Sequence, residues 1–322
     1  MTALKITLQV IVVLLSFVLT LLILMHKGKG GGLSDMFGGG LTQIGYEPDG
    51  TMQIEADFNT AGTDPCHVEI APNGAFVSVA NFASGAVTIF PRDAQGDLQA
   101  DKTIFQHEGS SVHPIRQKGP HAHSSLFAPD CPLMFVPDLG MDKVVAYRYD
   151  GASVCVDEDA TITVERGCGP RYGEFAPNGK DFYLINEIGS RVMHYRYSAG
   201  NMTLCEETST LPYGFTGENI CSDLHITADG KFLYASNRGH DSITAYHILE
   251  DGSLAWIECQ PSGGKTPRNF ALDRTGRYLL AENQDSDNIT VFAIGEDGRL
   301  TKQESYAFGS PVCIRFFKKT AF

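Results

Sequence analysis

Four residues stand at related places in successive stretches of the chain: His123, Arg171, Glu187 and Arg238. They offer a base, an acid and two cations, the groups that move protons and steady a developing negative charge. Each lies in a short phrase: Gly119-Pro-His-Ala-His123, Gly169-Pro-Arg171, Ile185-Asn-Glu187 and Ser236-Asn-Arg238. His67 and Arg268 open further apolar runs of the same kind. Structural roles compete with the chemical ones. An arginine after such a turn can bridge to backbone carbonyls, and Glu187 can pair with Arg171 as a structural ion pair. His121 and His123 are spaced to share a strand face. No third metal ligand is evident, so no metal is expected.

The elements that would position these residues repeat. A glycine is followed seven residues later by Asn and nine after that by an aromatic: Gly230, Asn237, Tyr246; Gly74, Asn81, Phe90; Gly179, Asn186, Tyr195; Gly276, Asn283, Phe292. Cys131, Asp138 and Tyr147 keep the register with altered residues. The runs between are rich in β-branched and aromatic residues and end in Gly, Asp, Ser or Asn, which is the pattern of strands joined by tight turns. Pairs such as Asp251-Gly252 and Asp297-Gly298 add hairpin turns. Before each copy lies another apolar run: Cys66 to Ile70, His123 to Phe127, Arg171 to Phe175, Ser222 to Ile226, Arg268 to Leu272 and Val312 to Phe316. About four strands per repeat predict β-propeller blades, ahead of a solenoid, whose periods are usually shorter. These six runs are the expected inner strands. The Asn at every repeat predicts a shared turn-capping role. Residues 41 to 60 read as the closing hairpin of a blade whose earlier strands are missing.

The 322 residues suffice for one large all-β domain and an appendage. Net charge is −13, from 25 basic and 38 acidic residues, with no Lys/Arg run to meet nucleic acid. Eight scattered cysteines show no C-x-x-C pair and read as reduced thiols in a cytosolic domain. No phosphate-cradling or nicotinamide-binding glycine motif is present, so no cofactor is expected.

From Ile6 to Met25 the chain is almost wholly apolar, about the length that crosses a hydrocarbon core. The run Leu22-Ile-Leu-Met-His-Lys-Gly-Lys-Gly-Gly-Gly-Leu-Ser-Asp-Met-Phe-Gly-Gly-Gly40 resembles the first transmembrane helix and cytosolic loop of SecG, the small subunit of the bacterial preprotein translocase. SecG's second transmembrane helix has no counterpart. The segments expected are a transmembrane helix over 1–26, a Gly-rich linker over 27–41, a propeller over 42–317 and a tail over 318–322. That arrangement implies a membrane-anchored protein with its propeller in the cytoplasm and a contact with the translocase.

The Gly-Pro-His-Ala-His, Gly-Pro-Arg, Ile-Asn-Glu, Tyr234-Ala-Ser-Asn-Arg-Gly-His-Asp241 and Thr266-Pro-Arg-Asn-Phe270 phrases together resemble the lactonase family of seven-bladed β-propellers. That family includes propeller-type 6-phosphogluconolactonases and carboxy-muconate lactonizing enzymes. The resemblance implies hydrolysis of a sugar lactone, 6-phosphogluconolactone first, with an anionic lactone as partner. A lactonizing cycloisomerase and a non-catalytic binding platform are the alternatives. It also implies catalytic roles for His123, Arg171, Glu187 and Arg238. The arginines would hold a carboxylate or phosphate, and His123 or Glu187 would handle protons. His67, His121, Asp223 and Arg268 are the expected substrate-binding residues. Tyr172 departs from the phosphogluconolactonase branch, which often has His after Gly-Pro-Arg.

Overall fold

A computed structural model describes residues 40–46 and 52–316. A two-stranded hairpin comes first, β1 (Gly40–Tyr46) with β2 (Met52–Asn59). Then follow β3 (Pro65–Ile70), β4 (Phe76–Asn81), β5 (Ala86–Pro91) and β6 (Thr103–Gln106) as one sheet. The next contains β7 (Leu126–Phe127), β8 (Leu133–Asp138), β9 (Lys143–Asp150) and β10 (Ser153–Val156), with β11 (Ile162–Thr163) also on β9. Three four-stranded sheets complete the series. They are β12 (Pro170–Phe175), β13 (Asp181–Asn186), β14 (Arg191–Ser198), β15 (Asn201–Ser209); β16 (Ile220–Ile226), β17 (Phe232–Arg238), β18 (Ser242–Ile248), β19 (Leu254–Pro261); and β20 (Pro267–Leu272), β21 (Tyr278–Asn283), β22 (Asn288–Ile294), β23 (Leu300–Ala307). Every pairing is antiparallel and, apart from β11 on β9, joins chain neighbours, which is the blade pattern.

A sheet packed between two others buries both faces, so its second strand is buried along its length rather than alternating. β4, β8 and β13 are buried at every residue. Phe76, Ile89, Met134 and Tyr147 join the β3 sheet to the β7 sheet. Phe135, Leu184 and Tyr195 carry the core onward, then Tyr183, Leu233 and Tyr246, then Tyr234, Phe270 and Phe292. Leu41 and Phe58 dock the first hairpin on Val77, Val79 and Phe90. Tyrosines of the second strands reach across blades: the Tyr183 hydroxyl donates to Gly252 O at 2.7 Å and that of Tyr234 to Gly298 O at 2.9 Å. Both acceptors lie in the expected hairpin turns, at φ 82° and 80°, where glycine avoids the Cβ clash.

The recurrent asparagines cap the turn between second and third strands. Asn237 Nδ2 donates to Ser242 Oγ at 3.2 Å, Thr244 Oγ1 at 3.1 Å and Thr210 O at 2.9 Å. Asn81 and Asn283 each reach the matching threonine, Thr88 and Thr290, at 3.2 Å. Where Asp138 replaces Asn, its Oδ1 accepts from the Gly140 and Met141 amides instead.

Two expectations about the inner strands need correction. The His123–Phe127 run pairs as a strand only over Leu126–Phe127. His123 N–H donates to Pro137 O at 3.0 Å, but Pro137 has no N–H to return the bond. The Val312–Phe316 run is not a strand at all: no described strand lies alongside to share its hydrogen bonds, and only Ile314 N–H reaches over, to Asn269 Oδ1 at 3.4 Å. Five inner strands are therefore formed among the described residues, not six. No apolar cluster among those residues joins the β20 sheet to the first hairpin.

The compact unit containing these sheets begins at Gly39. The helix expected over 1–26, most of the linker and the tail at 318–322 lie outside the described residues. So do the membrane anchoring, the translocase contact and the cytoplasmic placement that rested on that helix. Among the described residues no helix is long and apolar enough to cross a membrane.

Candidate active site

The inner strands share one irregularity. The register of β3 shifts between Pro65 and His67, that of β12 between Pro170 and Tyr172, that of β20 between Pro267 and Asn269, and that of β16 between Cys221 and Leu224. A bulge leaves one residue outside the ladder and re-aims its side chain. The bulged residues are Cys66, Arg171, Arg268 and, on β16, Ser222 with Asp223. Pro at the preceding position of three strands donates no hydrogen bond to the ladder. A bulge repeated at one level of four blades thus delivers side chains to the centre where the inner strands meet.

Glu187 is the hub. It follows β13 directly and is 1% exposed. Its amide donates to Gly169 O at 2.7 Å and its carbonyl accepts from Cys221 N–H at 2.9 Å, so its backbone is tied to both sides. Its Oε2 accepts from Arg171 Nε at 3.0 Å and from an Arg238 terminal nitrogen at 2.7 Å. Its Oε1 accepts from Arg116. Arg171 also donates to Ser222 O, and Arg238 to Cys221 O at 2.8 Å. Arg268 lies beside the group, its guanidinium 3.5 Å from Gln284 Oε1 and its carbonyl accepting from Ser222 Oγ. Burial alone would raise the Glu187 pKa; Arg238, Arg171 and Arg116 outweigh it and hold the carboxylate ionised, below its ordinary range. Burial, aggravated by the neighbouring cations, lowers the pKa values of Arg171, Arg238 and Arg268. One carboxylate holds three guanidiniums, with the fourth, Arg268, beside them.

His123 adjoins this cluster. Burial first, then the charges of Arg171 and Arg268, hold its pKa well below the ordinary 6.5, so the ring is neutral at neutral pH. Its Nδ1 is 3.9 Å from Cys66 Sγ, and Phe82 packs edge-on at 5.4 Å. The Cys66 thiol donates to the His123 carbonyl at 3.3 Å, the acceptor that Pro137 leaves free. The packing around that thiol pushes it up to about 12, which disfavours a thiolate, although Cys66 keeps an exposed surface.

Farther along the same strands lies a second polar group. His225 is 3.0 Å from Glu174 and 3.2 Å from Asp223. Burial opposes its charge, but Asp223 and Glu174 raise it to about 10. Asp223 also accepts from Asn269. Burial pushes the Asp223 pKa up, but His225 outweighs it and leaves the carboxylate below its ordinary range. Burial lowers His67 to about 4; its Nδ1 accepts the Ser125 amide at 3.3 Å. The ring of Tyr172 lies between those of His67 and His225, at 6.0 and 5.8 Å.

The structure thus brings His123, Arg171, Glu187, Arg238 and Arg268 together. It sets His67 and Asp223 one level farther on. His121 turns away: its Nδ1 meets Phe82 O at 2.8 Å and its ring stacks on Phe82. Sequence reasoning missed Arg116, Cys66, His225 and Glu174. Cys66 had a signal, since Pro65-Cys66, Pro170-Arg171 and Pro267-Arg268 open their strands alike. Arg116 had none, being in the loop between β6 and β7. In that loop His107 and His113 read as solvent histidines. His107 is in fact 7% exposed, with Asp138 and the Tyr147 hydroxyl each 2.6 Å from one ring nitrogen.

Sheets paired in chain order around a cluster of buried cations define a β-propeller with a cationic centre. The chain belongs to the lactonase, 7-bladed beta-propeller family, which its residues 34–316 match. It is 35% identical to the 6-phosphogluconolactonase of Bacillus subtilis over 218 residues, 66% of this chain and 61% of that protein. It is 36% identical to that of Formosa agariphila over 231 residues, 70% of this chain and 65% of that protein. The chain therefore spans less than two thirds of the length of these two relatives. The periplasmic gluconolactonase PpgL of Pseudomonas aeruginosa has a similar structure, at TM-score 0.83 and 31% identity, covering 87% of this chain and 80% of that one. Residues 5–51 are similar to the preprotein translocase SecG subunit.

Proposed function

We propose that the chain hydrolyses a sugar lactone, with 6-phosphogluconolactone the leading substrate. The observation that carries this reading is one buried carboxylate bridged by three guanidiniums beside a neutral buried histidine. The names of the two curated relatives support the same reaction class. His123 takes a proton from water as the oxygen adds to the ring carbonyl. Arg171 faces the oxyanion that forms, and removing one such donor typically costs about 10²–10³ in kcat. The tetrahedral adduct collapses, the ring C–O bond breaks, and the imidazolium returns its proton to the departing oxygen. Glu187 acts as the counter-ion that aims the arginines; with three cations on its two oxygens it is a poor base, which favours His123 in that role.

The test is hydrolysis of 6-phosphogluconolactone by the full chain, corrected for spontaneous opening, with Arg171→Ala and Arg238→Ala alongside. Loss of turnover in folded variants is expected. Unchanged turnover sinks the assignment.

A further inference from the structure

We infer that Arg116, with Arg238, forms a subsite for an anionic substituent of the substrate, a phosphate ester or carboxylate remote from the reacting carbonyl. This rests on the lactone reading above.

The cluster is unbalanced, with four guanidiniums around one carboxylate. Two of them hold unused donors: Arg116 Nε and Arg238 Nε are both buried without a hydrogen-bond partner. The Arg238 side chain is nine-tenths buried, so its orphan N–H lacks water as well, and such a donor favours an acceptor. Arg171 and Arg238 are 8% and 10% exposed at the side chain, Arg116 35%. Arg116 is therefore the most exposed of the three guanidiniums on Glu187, where a substituent away from the ring would lie.

The loop is built to hold it there. His113 Nδ1 accepts the amides of Ile115 at 3.3 Å and Arg116 at 3.1 Å. Gln117 accepts the His113 amide at 2.9 Å and donates to Leu139 O at 2.8 Å. His107 fastens the loop's start to Asp138. In the free protein Arg116 rests on Glu187. A divalent anion between Arg116 and Arg238 would satisfy both Nε donors and relieve the repulsion among the cations.

The experiment compares kcat/KM for 6-phosphogluconolactone and for glucono-1,5-lactone, the same ring without phosphate, in wild type, Arg116→Ala and Arg116→Lys. Calorimetric titration with inorganic phosphate and with acetate runs alongside. Arg116→Ala is expected to lower the phospho-to-neutral ratio about ten- to a hundred-fold, the worth of a charged hydrogen bond, mainly through KM; Lys restores part. An unchanged ratio overturns the inference. If neither lactone is turned over, the lactone reading fails, and phosphate binding decides alone. Phosphate affinity reduced by Arg116→Ala upholds the subsite; unchanged or absent phosphate binding overturns it. Acetate bound more tightly than phosphate assigns the subsite to carboxylates.

Discussion

Arg171 Nε and Glu187 Oε2 lie 3.0 Å apart, with side chains 8% and 2% exposed. A buried pair of this kind is weak evidence for stability by itself, since desolvation offsets much of the attraction. Removing one partner is different, because a buried charge is left uncompensated. Glu187→Ala is therefore expected to destabilise the protein by about 3–5 kcal/mol, leaving three guanidiniums facing one another. Arg171→Ala, with Arg238 and Arg116 still on Glu187, is expected to cost less stability but about 10²–10³ in kcat. Urea unfolding and initial rates on the same preparations separate the two. Lost stability with intact kcat in Arg171→Ala would make the pair purely structural.

His123 sets the pH dependence. Its pKa lies well below 6.5 because burial and two arginines disfavour the imidazolium. The neutral base thus persists below pH 6.5. The kcat/KM profile is expected to stay flat through neutrality and to fall only well below 6.5. A half-maximal point at or above 6.5 would contradict this. His123→Asn is expected to lose about 10²–10⁴ of the rate.

Asn237 is a scaffold residue. Its buried amide holds Thr210 O, Ser242 and Thr244, all buried themselves. Asn237→Ala removes these three bonds at once and is expected to cost about 1–3 kcal/mol by denaturant unfolding, with kcat unchanged.

Glu282 is fully buried, and neither carboxylate oxygen makes a well-formed hydrogen bond. Burial first, then the charge of Asp223, raises its pKa to about 7. The group is neutral in the fold at low pH. Its contribution is therefore full below the unfolded value of about 4.3 and is lost as pH rises through 7. Glu282→Gln is expected to be neutral in Tm at pH 4 and stabilising at pH 8. An equal effect at both would show that Glu282 does not titrate there.

The repeat was legible because turns impose residue types. Gly230 and its counterparts Gly74, Gly179 and Gly276 have φ of 65 to 72°, and the asparagines cap as their recurrence implied. The convergence followed from two matching pairs, His123 with Arg171 at the starts of inner-strand runs and Glu187 with Arg238 after the recurrent asparagines. What stayed hidden depends on partners distant in sequence. The loop that carries Arg116 has no periodicity. His107 is buried only because Asp138 and Tyr147 meet it. Val312–Phe316 has strand composition but no described strand to pair with, and a strand is defined by its neighbour.

The most direct measurement is the rate of 6-phosphogluconolactone hydrolysis by the full chain, above spontaneous opening, set beside the Arg171→Ala/Arg238→Ala double variant. A clear rate in the wild type, lost in a double variant that keeps its β-sheet circular dichroism, is the predicted result. A folded wild type with no rate, or a double variant as fast as wild type, would contradict the account.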